Sequence, residues 1–241
     1  MGLFDIFRKK PACFSDLKLT SDWHCHVLAG VDDGVKEIAE SVSILQSMKE
    51  SGMRKVMLTP HMNPEIFPDN TEDSLKARFA GFMESLPDDL KSGLDISLAA
   101  EYMVIDGFDS RNPSELLQVD KGKVLIEMSY YYPSQNMEDS IFNLTSAGIT
   151  PVIAHPERYL YLADNLKVFE RYHDMGAEFQ CNLLSLKGVY GPASVKILEF
   201  IMGKGWYAYT GSDTHTKNHF ASIRRMEFNK DYPALLESVK R

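Results

Sequence analysis

Two histidines one residue apart, His24 and His26, close a short run, Ser21–His26, that reads as a strand. Residues i and i+2 of a strand face the same way, so both imidazoles converge while Cys25 points to the opposite face. Asp213 and His215 repeat the spacing, although a turn can intervene there. Other titratable residues sit at comparable places: Asp32-Asp33-Gly34, Thr59-Pro60-His61, Ala100-Glu101, Glu127 and His155-Pro156-Glu157-Arg158. Any one of these alone is an ordinary structural group. Together they put five of the chain's seven histidines, with Asp33, Glu101, Glu127 and Asp213, at strand ends. Burying several carboxylates in one place is costly unless cations compensate. Imidazole and carboxylate suit zinc, iron or manganese. No cysteine stands at a strand end, which argues against a structural thiolate zinc site. A polynuclear metal centre follows. His173, at a helix end, and His219, in a loop, are expected to stand outside it as ligands.

Strands must deliver these groups. Candidate strands are Ser21–His26, Lys55–Thr59, Asp95–Ala100, Lys123–Met128, Thr150–Ala154, Glu178–Asn182 and Tyr207–Thr210. Val56-Met57-Leu58 and Val152-Ile153-Ala154 are continuously apolar, as strands buried on both faces are. Candidate helices are Glu37–Ser51, Thr71–Ser85, Met137–Ala147, Leu166–Met175, Pro192–Met202 and Tyr232–Val239. In the first, Ile38, Val42, Leu45 and Met48 form one stripe, and Gly52 ends it; Gly148 ends the third. Met103–Val119 carries no clear pattern. Alternating strands and helices predict a parallel α/β fold, and nearly every strand ends in His, Asp or Glu. That end is where βα barrels build their sites.

The 241 residues suit one domain, and no repeat, low-complexity tract or linker divides them. The domain is expected to span residues 21–241, preceded by an extension over residues 1–20. At 44% hydrophobic and 25% charged, the composition is that of a globular protein. A net charge of -8 argues against nucleic-acid binding, which needs Lys and Arg clusters. It also requires a local positive site to attract any anionic substrate. The odd count of three cysteines, Cys13, Cys25 and Cys181, fits a reducing compartment. No apolar run is long enough to span a bilayer. In the opening MGLFDIFRKKP, Arg8, Lys9 and Lys10 follow the apolar residues, the reverse of a signal peptide. Ile6 stands where myristoylation would want Ser or Thr. The segment is expected to be a frayed terminus or a short apolar-basic foot for a membrane or a partner.

The ordered series His24-x-His26, Asp32-Asp33-Gly34, Thr59-Pro60-His61, Glu101, Glu127, His155-Pro156-Glu157-Arg158 and Ser212-Asp213-x-His215 resembles the PHP (polymerase and histidinol phosphatase) superfamily. Within it, the H-x-H-x-L-x-G-x-D-D-G run from His24 to Gly34 is most similar to bacterial protein-tyrosine phosphatases of capsule and exopolysaccharide loci. The resemblance covers roughly Ser21 to Phe220. It implies a distorted (β/α)7 TIM-like barrel with three divalent ions at the C-terminal ends of the strands, manganese first, with iron, cobalt or zinc as other choices. By the same resemblance His24, His26, Glu101 and Asp213 would hold one ion. Glu101 would bridge to a second, held also by Glu127 and His155. Asp33, His61 and His215 would hold the third, with Asp32 the neighbouring choice for Asp33. Arg158 would contact the substrate phosphate, unless it is used in a salt bridge to Glu157 or another acid.

Three divalent ions would outweigh the four carboxylates and leave the site positive for a phosphomonoester, which carries about -1.5 to -2 at neutral pH. The implied substrate is phosphotyrosine on a protein, namely the tail of a membrane-bound bacterial tyrosine kinase controlling polysaccharide export. The implied place of work is the cytoplasm near the inner membrane. A small-molecule phosphatase of the histidinol-phosphate type would use the same metals; a nuclease or a non-catalytic metal-binding module would not fit the charge or the filled ligand positions. A thiol mechanism needs Arg six residues after Cys, and those places hold Leu19, Val31 and Lys187. Tyr130-Tyr131-Tyr132 and Phe67 are either loop packing or a surface for the substrate ring.

Overall fold

A computed structural model describes residues 11–229, 231–237 and 239–240. The basic foot at Arg8–Lys10 lies outside the described residues. The chain runs β1 (Ala12–Cys13), β2 (Ser21–Cys25), α1 (Ile38–Glu50), β3 (Lys55–Leu58), β4 (His61–Met62), α2 (Glu72–Ser85), α3 (Asp88–Gly93), β5 (Asp95–Leu98) and β6 (Glu101–Met103). It continues through β7 (Lys123–Glu127), α4 (Met137–Ser146), β8 (Thr150–Ala154), α5 (Lys167–Asp174), β9 (Glu178–Asn182), α6 (Pro192–Gly203), β10 (Tyr207–Gly211), α7 (Lys217–Arg224), β11 (Glu227–Phe228) and α8 (Tyr232–Leu235). Among the described residues no helix is long and apolar enough to cross a membrane.

The fold is mixed α/β. One parallel sheet has the order β2-β3-β5 and the other β10-β9-β8-β7-β6-β4. Two of the predicted strands are broken: β3 gives way to β4 across Thr59-Pro60, and β5 to β6 across Ala99-Ala100. Pro60 has no N–H to donate, yet its carbonyl accepts from Glu101 N at 3.0 Å, and Leu58 O accepts from Ala99 N at 2.8 Å. Those bonds carry the β3–β5 ladder on towards the β4–β6 ladder, and the chain itself joins the sheets at this margin. At the other, His26 N donates to Thr214 O at 2.9 Å and Asp213 N to His24 O at 2.7 Å. The ladders are interrupted at both places, but backbone hydrogen bonds cross each gap.

Strand alternation divides the interior. On β7, Val124 and Ile126 face the main core under the helices, while Leu125 joins a smaller cluster with Trp23, Met57, Val152 and Tyr209. Two residues beyond Leu125, on the same face, comes Glu127. The small apolar cluster is therefore the floor on which the polar strand ends stand.

Several expectations shift. The buried stripe of α1 is Ser41, Ile44, Leu45 and Met48, while Ile38 is 44% exposed. Ser41 lies on the same helical face as Ile44, Leu45 and Met48, and its buried hydroxyl is satisfied by donating to Val27 O at 2.7 Å. The C-terminal helix spans Tyr232–Leu235 rather than Tyr232–Val239. His219 lies on α7, capped by Thr216, and not in a loop. Met103–Val119 contains the end of β6 and two short 3-10 turns, Phe108–Ser110 and Pro113–Glu115. Ahead of β2, Ala12 and Cys13 pair with Phe228 and Glu227, and Phe14, Leu17 and Leu19 enter the main core.

Candidate metal centre

The strand ends bring ligand atoms into three overlapping groups, each within 4.8 Å: His24, His26, Glu101 and Asp213; His26, Asp33, His61 and His215; and His61, Glu101 and Glu127. Most of this chemistry is shut from solvent. His24, His26, Glu101 and His155 are fully buried and Glu127 is 1% exposed. Asp33 lies at the open edge, its side chain 61% exposed. His155 falls outside the three groups, but its Nε2 is 2.8 Å from Glu101 Oε1. His61 sits between two groups, with Nδ1 2.9 Å from Glu127 and Nε2 3.4 Å from Asp33.

Backbone and neighbouring side chains aim these rings. His24 Nδ1 donates to Gln180 Oε1 at 2.8 Å, His26 Nδ1 to Asp32 Oδ2 at 2.8 Å, and His215 Nδ1 to Asp213 O at 2.8 Å. These acceptors take the Nδ1 proton and leave each Nε2 directed inward, where it can ligate a metal once it carries no proton. Asp32 is thereby distinguished from Asp33. It also accepts from His61 N and Gly34 N, so its oxygens are committed to holding the loop. Asp33 is left facing His61 and His215.

Close approach explains two glycines. A Cβ on Gly34 would lie 2.2 Å from His26 O, and one on Gly211 would lie 2.5 Å from His24 Cβ. His155 and Asp213 adopt left-handed backbone, φ 32° and 53°. Such conformations cost roughly 1–3 kcal/mol for non-glycine residues and persist where surroundings impose them.

Burial and the close-packed charges pull the titratable groups of the site in opposite directions. Burial drives the His24 and His26 pKa values down, but the surrounding carboxylates outweigh it and both end raised, His26 strongly. His61 is pulled up to about 9 against its burial and His26, by Glu127 and Glu101. Burial holds His155 down to about 4. Glu127 is raised by burial and then by repulsion from Glu101. Burial opposes ionisation of Glu101 and Asp213, yet the histidines hold both well below the carboxylate range. Protons here do the neutralising that cations do elsewhere. Glu101 Oε2, both Glu127 oxygens and His155 Nδ1 are buried without a hydrogen-bond partner. His61 Nδ1 is close to Glu127 but out of line for a hydrogen bond. Unpaired acceptors converging on one space, with nitrogen and oxygen donors only, fit divalent metal ions.

Arg158 stands beside this cluster. Its guanidinium pairs with Asp213, not with Glu157, and lies 4.3 Å from the Tyr130 ring and 5.0 Å from the Tyr190 ring. Glu157 turns away, accepting from Asn182 N at 2.7 Å and the Tyr207 hydroxyl at 2.9 Å. It anchors the turn that carries Arg158. Tyr130 also brings its hydroxyl within 3.2 Å of His155 Nε2. Gln180, Asn182 and Tyr190 escaped the sequence reading. A signal existed for the first two: polar residues at i and i+2 of β9, a strand otherwise buried on both faces. His173 stacks on Trp206, away from the cluster, and His219 lies 6.3 Å ring to ring from His215 without joining a ligand group. Cys25 and Cys181 are buried in the main core.

Residues 20–227 match the family model described as capsular polysaccharide synthesis, CpsB/CapC. The chain is 26% identical over 229 residues to tyrosine-protein phosphatase YwqE of Bacillus subtilis strain 168, covering 89% of this chain and 87% of that protein. It is 31% identical over 163 residues to tyrosine-protein phosphatase CpsB of Streptococcus pneumoniae, covering 67% and 66%. Its fold matches a crystal structure from work on YwqE of Bacillus subtilis and CpsB of Streptococcus pneumoniae, described there as metal-dependent tyrosine phosphatases. The TM-score is 0.70 at 23% identity, over 90% of this chain and 86% of that one.

Proposed function

The chain belongs to the CpsB/CapC family of capsular polysaccharide synthesis, and from that premise we propose that it is a metal-dependent phosphatase hydrolysing phosphotyrosine on proteins. The observation that carries this is the cluster of buried, unpaired carboxylate oxygens and inward-facing imidazoles with Arg158 at its side. The two sheets, linked at both margins, are read as one distorted barrel of seven βα units, and residues 21–241 as its single domain, with residues 12–19 packed onto its core.

His24, His26, Glu101 and Asp213 would hold one ion. Glu101, Glu127 and His155 would hold a second, and Asp33, His61 and His215 a third. Manganese is the expected metal, since donor type alone leaves availability to choose. When bound, the ions supply Lewis acidity and an acidified water for in-line attack on phosphorus. The protein's own groups do the rest. Gln180 and Asp32 hold the His24 and His26 rings in register. Arg158 binds phosphate oxygens through its planar fork and offsets charge developing on them. Tyr130 and Tyr190 keep that fork beside the site. The partner is a tyrosine-phosphorylated protein, the tail of a membrane-bound bacterial tyrosine kinase, met in the cytoplasm near the inner membrane.

The test is hydrolysis by EDTA-stripped protein, with and without added manganese, of a phosphotyrosine peptide, a phosphoserine peptide and histidinol phosphate. Manganese-restored turnover that prefers phosphotyrosine is expected. Turnover of histidinol phosphate alone would keep the metal centre and replace the substrate. Loss of all turnover despite bound metal would leave an interaction module.

A further inference from the structure

A cleft of about 760 Å³ opens beside the metal centre. Asp33, His61 and Glu127 line it and belong also to the centre, so the two are continuous. Glu127, 1% exposed, reaches the cleft with neither carboxylate oxygen hydrogen-bonded. Along the walls the cleft is apolar and aromatic. Phe67 lies parallel to the His61 ring, 5.7 Å between centroids and 5° between planes. At the mouth Ile66, Tyr131 and Tyr132 are 66%, 89% and 65% exposed. Large apolar side chains gathered at one opening mark a surface that a partner covers. The cleft has the size of a site for a drug-sized ligand, more than one aryl phosphate occupies.

Charge says which partner. No Lys or Arg is among the residues lining the cleft. Beyond the metal centre its acidic side chains are Glu65 and Asp106, both exposed, one from each of the loops after β4 and β6. Resting on the phosphatase assignment above, we propose that this cleft binds the polypeptide flanking the phosphotyrosine. Glu65 and Asp106 select basic neighbours and reject acidic ones. The phosphate itself is held by the cationic centre, while its flanks lie against apolar walls and two carboxylates. Complementary charge at such a rim gives specificity more than raw affinity, and the preference weakens with added salt.

The experiment uses the full-length protein loaded with manganese and three probes: p-nitrophenyl phosphate, which has no flanks, and two phosphotyrosine peptides differing only in Lys or Glu on either side of the phosphotyrosine. Wild type is expected to use the Lys peptide with a kcat/KM about tenfold above the Glu peptide, mostly in KM, as two exposed ion pairs allow. Glu65→Lys with Asp106→Lys is expected to abolish or reverse that ratio, each protein being normalised to its own hydrolysis of p-nitrophenyl phosphate. Equal use of the peptides by wild type, preference for Glu, or an unchanged ratio in the double variant would overturn the proposal while leaving the phosphatase intact. No hydrolysis of any probe would overturn the phosphatase assignment and this one with it.

Discussion

The two ends of the same strands obey opposite rules. On β7, Leu125 is buried in the apolar floor and Glu127 is buried in the site above it, two residues on. The floor around Trp23, Met57, Val152 and Tyr209 satisfies ordinary packing, and Trp23 and Tyr209 meet edge to face at 5.0 Å. At the upper end carboxylates crowd each other, acceptors lack donors, and His155 and Asp213 hold left-handed backbone. The lower end stabilises the fold. The upper end is tolerated because the lower end and the surrounding helices hold it, and its conflicts are of the kind that bound cations would resolve. Function sits where local structural rules are broken.

The comparison can be broken most severely at the upper end. His26→Ala and Asp213→Ala are each expected to lower turnover by at least about three orders of magnitude, since ligands acting as a unit fail together. Metal content by elemental analysis should fall with activity. Full activity in either variant would remove the site from this end of the strands. At the lower end, Leu125→Ala should cost about 2–5 kcal/mol by denaturant unfolding, through the lost burial and the cavity left behind. Metal bound per folded molecule should hardly change, and a marked drop would mean that floor and site are not separable.

Arg158→Ala makes a finer cut. Turnover is expected to fall about a hundredfold, the scale of losing one positioned charge donor, with metal content retained. Loss of metal together with activity would make Arg158 a support for Asp213 instead of a phosphate ligand. The smallest effect is the most diagnostic. Glu127→Gln removes a buried carboxylate whose ionisation burial and Glu101 both oppose. The metal-stripped variant is expected to be more stable than stripped wild type by about 1 kcal/mol, while binding metal less tightly. A less stable stripped variant would show that Glu127 is well accommodated without cations.

Much of the upper end was legible in the sequence. Thr150–Ala154 and Glu178–Asn182 are strands at the predicted boundaries. The helix ends at Gly52 and Gly148 follow the glycine rule, with φ +99° and +77°. Short elements were not legible. β4 and β6 are only two and three residues long and exist through their sheet partners, β4 at the edge and β6 between β4 and β7. α3 and α7, six and eight residues, pack against α1 and are shorter than the stretch over which a helical repeat can be read. The stripe of α1 departs from the apolar pattern because Ile38, in its first turn, is exposed, while Ser41 can be buried with its hydroxyl bonded to Val27 O.

The sequence by itself determined which residue types stand at the strand ends and, through the two-residue period of an extended chain, that His24 and His26 share a face. Local backbone geometry fixes such relations, so they can be read locally. Only the tertiary structure decided that Asp32 is spent on His26 while Asp33 faces outward, that Gln180 on β9 orients His24 on β2, and that Arg158 finds Asp213 and two tyrosine rings. Those partners are separated by between six and 156 positions along the chain, and the distant ones meet because of the register in which the strands stand on a common floor.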